Sequence, residues 1–87
     1  MEIKVVYLSQ ALDDLSYWKK SGNKAIQQRI SKLIQSIIEA PFEGIGKPEA
    51  LKHNYSGWWS RRINEKHRLV YRIEEDRLII AQMRFHY

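Results

Sequence analysis

Residues 67–87 read "HRLVYRIEEDRLIIAQMRFHY". Two runs rich in β-branched and aromatic residues, 67–73 and 78–87, flank the polar stretch "EEDR", the pattern of two strands joined by a tight turn. So short a connection makes them antiparallel neighbours. Alternate residues of a strand face opposite ways. In the first run Leu69, Tyr71 and Ile73 therefore share one face, with Arg68, Val70 and Arg72 on the other. In the second run Ile79, Ala81, Met83 and Phe85 are the wholly apolar alternates and are assigned to the buried face. That leaves Leu78, Ile80, Gln82, Arg84 and His86 opposite them. One side of this sheet is oily and the other cationic.

Working outward, "WWSRRIN" (58–64) reads as the preceding strand, with Ile63 inward and Ser60 and Arg62 outward beside Arg68. Arg61 falls inward with Trp59, and is expected near a strand end, its long stem reaching solvent. "ALKHNY" (50–55) reads as a short strand turned by Ser56 and Gly57, and "PFEGIGKPEA" (41–50), with two prolines and two glycines, as a loop. Glu49 falls in that loop. Residues 24–40, "KAIQQRISKLIQSIIEA", place Ile26, Ile30, Leu33, Ile34, Ile37 and Ile38 on one helical stripe. Pro41 ends that helix, because proline lacks an amide hydrogen. Earlier, "EIKVVY" reads as a first strand. Ser9 is a candidate cap for a helix from near Gln10 that holds Leu12, Leu15 and Trp18 and stops at Gly22. Two such helices can cover only one face of the sheet. The expected class is α+β, two N-terminal helices packed on one face of a mainly antiparallel sheet, in one domain over residues 1–87.

The composition narrows the chemistry. Fifteen Lys and Arg against ten Asp and Glu leave a formal charge of +5. Between Lys47 and Arg72 the bases Lys47, Lys52, Arg61, Arg62, Lys66, Arg68 and Arg72 face only Glu49 and Glu65. Such an excess favours polyanions, or serves as a solvated basic face. With no cysteine there are no disulfides and no thiolate zinc site. No stretch has the signature of a signal peptide or the roughly 20 apolar residues of a membrane span, so a soluble cytoplasmic protein is expected.

Three histidines occur, His53, His67 and His86, without metal-ligand spacing, and no carboxylates cluster for magnesium. His53 and His67 read as structural residues, and Trp58 and Trp59 as core or interface. There is no phosphate-binding P-loop and no serine in a nucleophile elbow. What remains is one carboxylate, several arginines and one histidine, with neither metal nor cofactor expected. Cleaving RNA without metal needs a base for the 2′-hydroxyl, cations for the charge growing on phosphorus, and an acid for the departing 5′-oxygen. Histidine suits the acid, since its ordinary pKa is about 6.5. Arginine suits the phosphate, since its planar fork stays charged. The same residue types would equally build a passive RNA cradle.

The blocks "PFEGIGKPE", "SGWWSRRI" and "HRLVY", with "DDLSYW" in the first helix and the ending "MRFHY", closely resemble the YoeB/Txe toxins of bacterial toxin–antitoxin pairs, within the wider RelE/ParE superfamily. The resemblance spans essentially the whole chain. It implies a microbial-ribonuclease-like fold and a ribosome-dependent endoribonuclease that cuts mRNA in the A site, leaving a 2′,3′-cyclic phosphate and a 5′-hydroxyl. By resemblance Glu49 matches the general base, Arg68 the transition-state arginine and His86 the general acid. Lys52 and Arg62 match phosphate-holding positions and Tyr87 an RNA-positioning tyrosine; Arg84 joins them from its assigned face. A cognate antitoxin with an acidic C-terminal segment, the 70S ribosome, mRNA and a homodimer are the implied partners, with no membrane. Ile45, Ala50 and Lys66 depart from residues common among relatives, and none is among the proposed acid, base or arginine. The rival readings are a ParE-like gyrase poison or a binder that only occupies the ribosome. In this frame Phe85, pointing inward, is expected to fasten the end of the last strand and so aim His86, while the Tyr87 carboxylate is expected to favour the protonated imidazole.

Overall fold

The computed structural model describes residues 2–85. The chain runs β1 (Lys4–Tyr7), α1 (Ser9–Ser21), α2 (Lys24–Glu39), β2 (Glu49–Ala50), a 3-10 turn (His53–Tyr55), β3 (Trp59–Arg62), β4 (Arg68–Glu74) and β5 (Arg77–Gln82). Five strands form one sheet in the order β1-β5-β4-β3-β2. The four later strands are antiparallel neighbours, and β1 joins parallel to β5. Both helices lie within the crossover from β1, so they pack on a single face, as the expected α+β class requires.

Local chemistry explains the helix ends. Asn23 caps α2 by accepting a hydrogen bond from the Ile26 amide at 3.1 Å. Gly22, at φ 72°, ends α1 in the left-handed conformation that a glycine adopts without strain. Ser9 is not the cap expected of it. It is already helical, and Leu8 precedes the helix without a side-chain bond. The buried stripe of α1 is Ala11, Asp14 and Trp18, with Leu15 packed against the core and Leu12 half exposed. From α2, Ile30, Leu33 and Ile37 are buried above Leu69 and Tyr71 of β4 and Leu78 and Ile80 of β5.

The face assignment of the last strand is corrected by a bulge. Tyr71 pairs with Ile80, but Val70 pairs with Gln82, so Ala81 is an extra residue in β5. One inserted residue reverses the side-chain alternation beyond it. Leu78 and Ile80, expected outward, lie fully buried in the core, while Ile79 faces the other side. Past the bulge Met83 turns inward and is fully buried, as expected of it. The strand ends at Gln82, and Arg84 and Phe85 do not continue it. Phe85 does not fasten the end either: it is 49% exposed and sits at φ 64°.

Two further expectations are revised. "ALKHNY" is not a strand: only Glu49 and Ala50 pair with β3, and residues 53–55 form a 3-10 turn. Arg61 does not reach solvent. It is wholly buried, because five N–H···O bonds await it there, to the Tyr71 hydroxyl, the Ser36 hydroxyl and the carbonyls of Ile45, Ala40 and Glu43.

Candidate functional site

The helix-free face is organised by strand register. Glu49 pairs with Ser60, Ser60 with Val70, and Val70 with Gln82, a row running across four strands. Directly opposed residues of an antiparallel pair project to the same side. Val70 alternates with the core residues Leu69 and Tyr71, so the whole row faces away from the helices. The next row pairs Arg62 with Arg68. Glu49, Arg62 and Arg68 thus share one surface. From strand spacing and rise, the Cα atoms of Glu49 and Arg68 are roughly 12 Å apart. At that separation both side chains are long enough to meet one phosphodiester lying over the sheet.

The face is not bare. Ser60 and Val70 are buried on it, so longer side chains close over the middle of the sheet. Arg72 lies 4.7 Å from the Trp58 ring centre and pairs with Glu74 at 2.8 Å, so its charge is spent within the fold. Arg62 and Arg68 have no carboxylate partner among the described residues. Nε and Nη1 of Arg68 are shielded from solvent yet bond nothing among the described residues, and the Ser60 hydroxyl is likewise buried and unpartnered there. Buried donors without acceptors are costly, and an incoming phosphate oxygen would relieve that cost.

Beside the row, residues 49–55 line an open pocket of about 430 Å³. It brings Lys52 next to Glu49; both are exposed. Glu49 is a strand residue, not the loop residue expected, and its place in the hydrogen-bonded β2–β3 pair fixes its backbone.

Arg84 parts from the group. Its guanidinium carbon sits 3.4 Å from the ring centre of Tyr17 in α1 and 4.3 Å from that of Phe85, which directs it to the helix α1 and not to Arg62 and Arg68. The strand ends at Gln82 and Phe85 is left-handed, so strand alternation no longer sets where Arg84 points, and its outward assignment fails. His86 and Tyr87 lie outside the described residues.

A model of the "YoeB-like toxin of bacterial type II toxin-antitoxin system" family matches residues 7–87. The chain belongs to this family. It is 49% identical over 85 residues to Toxin YoeB of Escherichia coli K12, covering 98% of this chain and all of that one. The YoeB dimer of Staphylococcus aureus superposes with a TM-score of 0.91 at 39% identity, with both chains fully covered. The same family's toxin in the heterotetrameric YoeB–YefM toxin–antitoxin complex of that organism gives 0.89 at 39%, again over both whole chains.

Within the YoeB-like fold the residue that sequence reasoning missed is Arg61. It draws loop 40–46 against β3. Gly44 and Gly46 in that loop leave no space for a side chain: a Cβ on Gly46 would stand 2.7 Å from Leu33 Cδ2, and one on Gly44 2.5 Å from Ser36 Oγ. The glycines of "FEGIGK" are therefore packing devices around a buried guanidinium. The available signal was parity, which put Arg61 inward; its partners, scattered over residues 36–71, were not visible in sequence.

Proposed function

We propose that this chain is a toxin of a type II toxin–antitoxin system, an mRNA endoribonuclease that acts in the ribosomal A site by metal-free acid–base catalysis. The observation that carries the reading is the register that sets Glu49 and Arg68 on one open face, two strands apart, with Arg68 nitrogens that bond nothing among the described residues. Glu49 takes the proton of the 2′-hydroxyl, and the 2′-oxygen attacks phosphorus. Arg68, helped by Arg62 and Lys52, offsets the charge on the phosphorane oxygens. The bond to the 5′-oxygen breaks as His86 protonates it, which leaves a 2′,3′-cyclic phosphate and a 5′-hydroxyl. Tyr87 holds the RNA in place. Arg84, packed on Tyr17, is a remoter phosphate contact.

Solved structures of relatives include a YoeB dimer and YoeB–YefM complexes. By extension this chain forms a homodimer and binds an antitoxin, whose acidic segment covers Arg62 and Arg68 and orders on binding. No helix among the described residues is long and apolar enough to cross a membrane.

Mapping 5′ ends of a message in a purified translation mixture tests the reading. New ends inside A-site codons, lost with Glu49→Gln, are expected. Stalled ribosomes on intact message would replace it with blocking by occupancy, and DNA breaks with gyrase would replace it with poisoning.

A further inference from the structure

The last described residues are held by their backbone. Asp14 Oδ2 accepts the Met83 amide hydrogen at 2.9 Å, and Trp18 Nε1 donates to the Met83 carbonyl at 2.9 Å. Two residues on, the Arg68 amide donates to the Phe85 carbonyl at 3.0 Å, and the Phe85 amide donates to His67 Nδ1 at 2.7 Å. Phe85 adopts φ 64°, a conformation that bulky residues take only where their surroundings impose it. Of the two bonds that impose it, one is an ordinary strand-like backbone contact. The other depends on a single side-chain lone pair.

We propose that His67 is a positioning residue for the reaction: its Nδ1 accepts the Phe85 amide and thereby holds the backbone that carries His86. This rests on the reading of His86 as the general acid.

His67 is built for that task. It is 8% exposed, with its ring edge-on to Trp18 at 4.9 Å and 5.7 Å from the Phe85 ring. Its own amide and that of Lys66 donate to Asn64 Oδ1, which fixes the turn before β4. Accepting at Nδ1 requires that nitrogen to be unprotonated, with the ring proton on Nε2. Burial lowers the His67 pKa, and the cations of Lys66 and Arg84 lower it further, against the opposing charge of Asp14 from α1. Arg68, next in the chain, adds a cation to the same segment. These surroundings keep the acceptor available. Arg68 and Phe85 are joined through the same turn, so His67 couples the arginine end of the site to the acid end.

The test compares His67→Gln with His67→Asn. Asn can set Oδ1 where Nδ1 stood, whereas Gln places its amide nearer the Nε2 position. Single-turnover cleavage on programmed ribosomes, ribosome affinity and deuterium exchange at the Phe85 amide are measured on folded protein, with His86→Gln in parallel. For His67→Gln the expected results are cleavage slowed by about 10²-fold, the scale of an ångström-sized misplacement, affinity changed less than about twofold, and faster exchange at Phe85. His67→Asn recovers most of the rate and the protection. Wild-type cleavage by His67→Gln, or equal losses in both variants, overturns the proposal. If His86→Gln cleaves normally, the reading of His86 fails; Phe85 exchange then still decides whether His67 holds this backbone.

Discussion

Arg61 has five N–H donors, and each meets an oxygen inside the fold without any carboxylate nearby. Three of the acceptors are carbonyls of loop 40–45, and the Tyr71 hydroxyl that Arg61 bonds itself donates to the Pro41 carbonyl at 2.6 Å. Replacing Arg61 by Met retains much of the volume and orphans all of those acceptors. Removing one side of a buried polar network costs on the order of 3–5 kcal/mol. Urea denaturation of Arg61→Met should show a loss of that size, and a loss below about 1 kcal/mol would mean water satisfies the loop instead. Glu49 and Arg68 make a different prediction because their side chains are not built into the core. Glu49→Gln and Arg68→Ala should melt near the parent temperature while cleaving at least about 10²-fold more slowly, the usual scale for a lost acid–base or charge-stabilising group. Position in sequence alone could not separate Arg61 from Arg62. Both are "RR" of one strand, and only the loop folded over the first makes it structural.

At the scale of elements, β5 is governed by the extra residue Ala81. Because it is the one extra residue, a strand lacking it would run Ile80 inward, Gln82 outward and Met83 inward, a regular alternation that keeps the same faces. Deleting Ala81 should therefore leave Met83 in the core and cost less than the roughly 2–5 kcal/mol of emptying a buried Met site, as read by thermal or urea unfolding. A loss of that full size would show that the core needs the bulge itself and not only the facing of Met83. Helix α1 contributes through polar groups as much as apolar ones. Asp14 and Trp18 grip the two sides of the Met83 peptide. Trp18→Phe keeps an aromatic ring but orphans the carbonyl, so a cost of about 1–2 kcal/mol is expected, with faster amide exchange over residues 83–85. Helix α2 was legible from its isoleucine stripe, and Gly22 and Pro41 mark helix boundaries by backbone chemistry that needs no tertiary partner. The buried Asp14 was not, since a carboxylate on a helix reads as solvated until Met83 arrives beneath it.

For the whole molecule, charge and proton uptake set the conditions of stability and binding. The folded chain binds a proton at His67 less readily than the unfolded chain, whose value is near 6.5. Below that value, down to the lowered folded one, the unfolded state carries more protons, so stability falls as pH drops through this window. Urea midpoints at pH 7.5 and 5.5 should show the decline, and His67→Asn should flatten it. A family likeness, an α+β class, two helices on one face, the antiparallel later strands and a cationic surface are all carried by the sequence itself, because periodicity, turn residues and net charge are properties of neighbouring positions. The tertiary structure alone decided that the alternation of β5 reverses at Ala81, that Arg61 is buried, that Arg84 turns to Tyr17, and that His67 holds the Phe85 amide. Each of these depends on an acceptor, a ring or a partner strand supplied by a remote part of the chain, and local pattern contains no information about which remote group will arrive.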